Sequence, residues 1–315
     1  MLDFIAYPIG YILKFIYDNL AFQNYGIAII LLTLVIKLIL MPTVIKQQKS
    51  TSKLNNIQSD LKKIQIKYKG NAEKMNQETM DLYKLHKVSP FSSLMPMIIQ
   101  MPILFSLYYV ISQPLKYMLG KSPEVIQKLF ELIPAEAVKI AHMKDLTIIN
   151  YFSTHTENLS SVSTLLSPKD LLNMDFWRIN LGAVPTWNLS ALTSGSMATQ
   201  NLYLLLIPVF AVLTTYISTK VMMSNSPKPD VNQTQSPMLN SMTLVSPLIT
   251  GFLAFSVPAG LGLYWIIGNV FQIAQQLIVN FIRNKGVKEE GIKDKKVSST
   301  KNIKKTFMRF TTIKP

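Results

Sequence analysis

The sequence predicts an all-α, polytopic membrane protein with five transmembrane helices and a cytoplasmic helical hairpin. The first observation is long uncharged runs, since only 16% of the 315 residues are charged whereas roughly a quarter is usual. A bilayer core takes about 20 apolar residues as a helix, and a soluble helix of that length shows a polar face. The second observation is the uneven distribution of Lys and Arg, which gives the spans an orientation.

The five spans follow from the uncharged runs. They are predicted at residues 24–44, 91–113, 201–223, 237–256 and 258–282. Ser89-Pro90 and Ser236-Pro237 each place a capping residue before a proline, which suits the first helical position. Residues 201–282 therefore form three consecutive transmembrane helices.

Charge on the connecting segments predicts the topology. Residues 45–90 carry ten basic and four acidic side chains, and residues 283–315 carry eleven basic and three acidic ones. Residues 114–200 carry seven of each. The excess of Lys and Arg places the first two segments in the cytoplasm and makes 114–200 an extracellular loop. Five spans agree with this, with the N-terminus outside and the C-terminus in the cytoplasm.

Residues 1–23 are predicted to form an amphipathic helix on the outer surface. Five apolar residues recur at helical spacing there, namely Ile5, Ile9, Ile12, Ile16 and Leu20. A helix that lies in the plane of the interface needs such a stripe. A frayed start of the first span is the alternative.

Residues 45–90 are predicted to form the basic cytoplasmic hairpin. Apolar residues alternate steps of three and four along its first half, at Leu54, Ile57, Leu61, Ile64 and Tyr68. Gly70 supplies a turn, and residues 72–87 form a second helix. A purely structural connector is the alternative.

The extracellular loop and the tail give weaker patterns. Residues 128–139 predict a short helix, and Trp177 and Trp187 are typical of the headgroup level. Residues 283–315 lack apolar periodicity and are predicted to be a basic disordered tail. Anionic lipids and ribosomal RNA are the two alternative partners for its charge.

Lys37 is the ionisable residue that lies well inside a predicted span. The five spans contain no Asp, Glu or His, and Lys220 lies close to a span end. A central charge costs about 3 kcal/mol on insertion scales and usually faces a protein interior or a watery cavity. Because Pro42 follows only five residues later, snorkelling to the cytoplasmic headgroups is the alternative.

Polar residues in three spans predict a hydrated groove around this charge. Thr33 lies one turn before Lys37, and Gln100 lies in the second span. The fifth span carries one polar face of Trp265, Asn269, Gln272 and Gln276. Convergence of these faces would favour a polar or acidic visiting segment. Ordinary interhelix hydrogen bonds, worth about 0.6 kcal/mol each, are the alternative.

Three stretches carry a resemblance to a known family. They are residues 25–42, from Tyr25-Gly26-Ile27 through Thr33 and Lys37 to Pro42; residues 90–103, with Pro90-Phe91, Pro96 and Pro102; and residues 258–276, from Pro258-Ala259-Gly260 through Trp265 and Asn269 to Gln276. The chain resembles the YidC-type membrane protein insertases, which include the oxidase-assembly and Albino-type proteins. It is similar to the short bacterial form found in the plasma membrane of Gram-positive types.

The resemblance implies roles for particular residues. The basic residue of the family's intramembrane groove falls at Lys37, and its substrate-contacting positions fall at Thr33 and Trp265. The family usually has arginine at the position of Lys37, so the charge is kept here but the planar fork is not. The resemblance implies nascent membrane proteins as clients and the ribosome as a partner of the basic tail. Anionic lipids follow from the charge of the tail, and a Sec-type translocation channel is an open alternative to action alone.

The predicted function is therefore a membrane protein insertase and chaperone, and not an enzyme. No catalytic residue, cofactor or metal is expected. Zero cysteines exclude thiolate ligands and thiol chemistry, and the chain lacks a Gly-x-Ser-x-Gly elbow and a His-Glu-x-x-His zinc motif. Gly120-Lys121-Ser122 lacks the earlier glycine of a phosphate loop. Two alternatives stay open, a small-anion transporter or channel with Lys37 as its binding charge and a Ser/Lys hydrolase.

Overall fold

The computed structural model describes residues 2–89, 95–138, 142–193, 198–223 and 237–281. The described chain is mostly helical and divides into two compact units, Met1–Val270 and Phe271–Pro315. The basic tail predicted at 283–315 lies outside the described residues.

The helices are numbered in chain order. They are α1 Asp3–Asn19, α2 Tyr25–Asn56, α3 Gln58–Lys67, α4 Ala72–Leu85, α5 Met95–Ser112, α6 Pro114–Tyr117, α7 Pro123–Glu131, α8 Lys144–Thr154, α9 Leu189–Thr193, α10 Ala198–Leu204, α11 Leu206–Met223, α12 Pro237–Ala254 and α13 Ala259–Phe281. Short 3-10 segments cover Ala135–Ala137, Thr156–Val162 and Pro168–Asp170. Strands β1 Asp175–Phe176 and β2 Ile179–Asn180 pair antiparallel in a small hairpin.

Within the described residues, three stretches of helix are long and apolar enough to cross a membrane. They are Tyr25–Leu54, Ala198–Met223 and Ala259–Phe281. Two shorter apolar helices, Ile98–Ser112 and Leu244–Ala254, lie where the second and fourth spans were expected. A mostly helical membrane protein is thus confirmed, whereas the number of five spans stays a prediction.

Helix α2 does not end where its apolar run ends. It continues through Pro42 to Asn56, because the Lys, Gln and Ser residues that follow residue 44 are compatible with helix even though they are not apolar. A break at Ile57 then separates α2 from α3. This break divides the apolar stripe that the sequence predicted as one continuous helix.

Helices α3 and α4 contact each other across a glycine turn. Gly70 has a φ of 102°, a conformation that glycine adopts without strain. The Asn71 side chain accepts a hydrogen bond from Lys74 N at 3.0 Å and caps α4. The hydroxyl of Tyr68 donates to Glu78 Oε1 at 3.0 Å. The cytoplasmic location of this helical pair stays a prediction.

Helix α1 is amphipathic, but the predicted stripe is only partly correct. Ile9 and Ile16 are buried, whereas Ile12 and Leu20 are 42% and 54% exposed. The buried face is completed by Ala6, Gly10, Leu13 and Tyr17. Small residues lie at its centre because the Tyr117 carbonyl occupies the space that a side chain at Gly10 would need. The spacing of isoleucines alone therefore did not identify this face.

The segment after α5 folds into a small packed layer on α1. The Tyr117 hydroxyl donates to Asp3 Oδ1 at 2.6 Å, and Lys116 Nζ lies 3.5 Å from the same carboxylate. The bounds of the short helix predicted at 128–139 are wrong, and residue 139 lies outside the described residues. Helix α7 instead begins at Pro123 with Ser122 as its N-cap and ends at Glu131, before Pro134, which cannot continue a helix.

Candidate functional site

The side chain of Lys37 lies against the backbone of α13. A Cβ atom built on Gly268 would be 3.4 Å from Lys37 Cε and 3.7 Å from Nζ. Lys37 is half-buried and Gly268 is buried. Both distances are ordinary van der Waals contacts, so the Lys37 side chain lies directly against the α13 backbone at Gly268.

The ammonium group of Lys37 has no acidic partner in the part of the chain that the structure describes. The lysines in the ion pairs seen there include Lys14, Lys63, Lys84, Lys116 and Lys121, and Lys37 is not among the paired lysines. Lys37 makes neither an ion pair nor a hydrogen bond to any described residue. An unpaired ammonium of low exposure attracts anions and polar groups more strongly than one in bulk water.

Lys37 and Gly268 both lie well inside their helices. Lys37 is twelve residues after Tyr25, or about 18 Å at the helical rise, and Gly268 is nine residues after Ala259, or about 14 Å. Half of a hydrocarbon core is about 15 Å. A position beside the middle of α13 favours the protein interior over snorkelling to the headgroups.

Gln100 joins α5 to α13 near this point. Its Nε2 donates to the hydroxyl oxygen of Tyr264 at 3.2 Å. Tyr264 is buried and lies one turn before Gly268 on α13. The amide of Gln100 is therefore placed on the side of α13 that also carries the Lys37 contact.

Asn269 joins α13 to α11 instead of pointing freely into a groove. Its Nδ2 donates to Thr215 Oγ1 at 2.8 Å and to Thr214 Oγ1 at 3.2 Å. Thr215 is buried. This is the ordinary interhelix hydrogen bonding that was the alternative for the amides, and it fixes the rotation of α13.

Thr33 and Trp265 differ in accessibility. Thr33 is fully buried, and its hydroxyl donates to the Ile29 carbonyl of its own helix at 2.6 Å. Trp265 is half-buried and packs against the edge of the core. Of the two side chains, only Trp265 is accessible from outside in this structure. The contact role of Thr33 stays a prediction.

Gln272 and Gln276 belong to the second unit. Gln276 is buried, and its Nε2 donates to Asn280 Oδ1 one turn later at 3.2 Å. Their membership in one site with Lys37 stays a prediction.

Three residues of this arrangement were missed from the sequence. Gly268 lies against the Lys37 side chain, Tyr264 accepts from Gln100, and Thr215 accepts from Asn269. An isolated glycine in an apolar helix indicates a close approach, so Gly268 had a usable signal. Thr215 had none, because a threonine in an apolar run often bonds its own backbone.

A metal site needs several ligand side chains close together. Within the described ranges, no three His, Asp or Glu side chains are grouped so that they could hold a metal ion.

Comparison with known proteins identifies relatives over most of the chain. The family model described as 60Kd inner membrane protein matches residues 15–286. The membrane protein insertase YidC of Clostridium perfringens is 30% identical over 262 residues, which cover 83% of this chain and 81% of the relative. YidC of Oceanobacillus iheyensis is 27% identical, with 87% and 81% covered, and insertase MisCA of Bacillus subtilis is 26% identical, with 88% and 77% covered.

Proposed function

The chain belongs to the YidC-type membrane protein insertase family, and on that premise we propose that it inserts nascent membrane proteins into a bacterial plasma membrane. In this proposal a short polar flank of the client enters a hydrated groove beside Lys37, and the client's apolar helix passes Trp265 into lipid. The observation that carries the proposal is the unpaired Lys37 ammonium beside Gly268.

The proposed groove lowers the free-energy barrier to moving a polar segment across the membrane. Moving a polar flank across lipid requires the loss of its hydration, which costs several kcal/mol for each unsatisfied backbone group. An ammonium group and nearby amides replace part of that hydration. Burial of the client's apolar helix supplies about 25 cal/mol per Å². The membrane potential adds about 2.3 kcal/mol per acidic charge per 100 mV for movement outward.

The proposed orientation of the chain in the membrane follows from the distribution of Lys and Arg. With five spans, the N-terminus and α1 lie outside, and the α3–α4 pair and the C-terminal tail lie in the cytoplasm. The basic pair receives clients there, and the tail binds anionic lipids or the ribosome. A Sec-type channel is a further proposed partner. The proposal includes neither a catalytic step nor a cofactor, and small-anion transport is not favoured by the family membership.

Insertion into reconstituted vesicles tests the proposal. The purified full chain is placed in vesicles, and a one-span client with a short acidic flank is synthesised in their presence. We expect the flank to become protected from added protease only when the protein is present. A client whose apolar segment is interrupted by two lysines is the control and should stay accessible. Equal protection in protein-free vesicles would contradict the proposal.

A further inference from the structure

The β1–β2 hairpin is fixed to the first turn of α2. Tyr25 N donates to the Asn173 carbonyl at 3.0 Å, and Asn24 Nδ2 donates to the Asp175 carbonyl at 2.8 Å. The Phe176 ring occupies the space that a side chain at Gly26 would need. The hairpin therefore lies at the level where α2 begins. These contacts hold it against the first turn of α2, so it is not a free loop.

The turn of this hairpin has an unusual backbone for its residues. Trp177 and Arg178 have φ values of 48° and 67°. A two-residue turn of this kind favours Asn-Gly, and left-handed backbone at other residues costs on the order of 1–3 kcal/mol. Trp177 is nevertheless 86% exposed, so burial of its own side chain does not explain why this pair occupies the turn.

A cavity opens beside the turn, towards the first residues of α10. Its volume is about 410 Å³, and it is lined by Asp175, Arg178, Thr199, Gln200 and Tyr203. Neither the Asp175 carboxylate nor the Arg178 guanidinium forms an ion pair with any residue that the structure describes. The lining thus includes one acidic and one basic residue, both exposed, that are not paired with each other.

We propose that this cavity binds the headgroup of a phospholipid that carries a primary amine. Arg178 binds the phosphodiester, and Asp175 accepts a hydrogen bond from the headgroup ammonium. Trp177 lies at the headgroup level, where tryptophan is enriched. This assignment rests on the proposed topology, which puts the starts of α2 and α10 at the outer membrane surface.

The two opposite charges select one headgroup class. A headgroup without an amine leaves Asp175 unpaired and close to a phosphate of the same sign. A trimethylammonium group carries the charge but has no N–H to donate to the carboxylate. We therefore expect phosphatidylethanolamine to bind better than phosphatidylcholine or phosphatidylglycerol.

Native mass spectrometry of the full chain in detergent tests the proposal without any client, so its outcome is separate from that of the insertion assay. The three lipids are added singly at equal concentration. We expect phosphatidylethanolamine to be retained most, and Arg178→Gln or Asp175→Asn to reduce its retention roughly fivefold, the effect of about one charge at a lipid surface. Lys169→Gln is the matched control, because Lys169 is exposed in the same segment and is not part of the cavity.

Two results would overturn the assignment. Equal retention of the three lipids by the unaltered chain would mean that only nonspecific annular lipid is bound. Unchanged retention of phosphatidylethanolamine in both cavity variants would show that Asp175 and Arg178 do not contact it. An unaltered unfolding temperature of each variant shows that the contacts between the hairpin and α2 are intact.

Discussion

Among single residues, Lys37 has the most specific predicted effect. Its ammonium is half-buried beside Gly268 and has no acidic partner among the described residues. Lysine offers a compact point charge in place of the planar fork of arginine. A role that depends only on charge therefore tolerates exchange between these two residues.

We expect Lys37→Ala and Lys37→Glu to reduce client protection in the vesicle assay by about tenfold or more. A tenfold reduction corresponds to a loss of roughly 1.4 kcal/mol of interaction between the charge and the client. Lys37→Arg should retain most of the activity. Lys220→Ala is the matched control, since that lysine lies near the end of α11. Full activity of both Lys37→Ala and Lys37→Glu would remove the charge from the mechanism.

Asp145 is a buried carboxyl group in the segment outside the predicted spans. Burial raises its pKa from 3.8 to about 6, although its Oδ2 accepts a hydrogen bond from Lys116 N at 3.0 Å. The folded state therefore holds this proton more tightly than the unfolded state. The contribution of the protonated Asp145 carboxyl to the free energy of unfolding is present below about pH 4 and is lost as the pH rises through about 6.

Asp145→Asn should remove the pH dependence of the free energy of unfolding that comes from this carboxyl group. The amide mimics the protonated carboxyl and still accepts from the backbone, so we expect a more stable protein above pH 6, by on the order of 3 kcal/mol for a shift of about two units. Thermal unfolding followed by tryptophan fluorescence between pH 4 and 7.5 measures it. Glu136→Gln, an exposed carboxyl in the same segment, should keep the dependence of the unaltered protein. A flat profile of the unaltered protein would contradict the assignment.

At the scale of elements, the packing of α1 on α6 depends on Gly10. The Tyr117 carbonyl occupies the place of a side chain at Gly10, and backbone cannot give way as a side-chain tip can. Gly10→Ala should therefore lower the free energy of unfolding by about 1–3 kcal/mol, the usual effect of overpacking. Denaturant unfolding of the full chain measures this effect.

Gly251→Ala is the matched control for Gly10→Ala. Both positions are helical, but the neighbour of a Cβ at Gly251 is a single methyl group of Val212, at 2.9 Å. That methyl can move, and alanine favours the helix. We expect a smaller loss of stability or none. An equal loss at both positions would show that close packing of α1 on α6 is not the cause.

Elements were predictable from the sequence where one local property decides them. Apolar runs predicted the long helices, and Gly70 predicted the turn before α4. The hairpin at 175–180 was missed because Trp177-Arg178 lacks the Asn-Gly signal of such turns. The end of α2 at Asn56 was missed because a helix that leaves an apolar environment can continue in water.

The site was predictable only in part, for a physical reason. Lys37 stood out as a charge inside an apolar run, and this requires no knowledge of its neighbours. Its contact with Gly268 and the pairing of Asn269 with Thr215 depend on how the helices rotate against each other. Several side-chain contacts set that rotation together, and no single sequence pattern specifies it.

For the whole molecule, the account requires that a client pass along one side of the helix bundle. Trp265 is half-buried and precedes Gly268, the neighbour of Lys37, by three residues on α13, whereas Phe252 on α12 is 64% exposed. A photoreactive residue at each position therefore distinguishes passage beside Lys37 from general contact with lipid-borne helices. Exposure alone would predict the stronger crosslink at residue 252.

The most direct measurement is photocrosslinking from positions 265 and 252 to ribosome-bound clients stalled at successive lengths. The account predicts a crosslink from position 265 over a narrow range of lengths, when the polar flank reaches Lys37. It predicts little crosslinking from position 252 at those lengths, and loss of the 265 crosslink in Lys37→Glu for an acidic flank. Equal crosslinking from both positions, or insertion without any crosslink from position 265, would contradict the account.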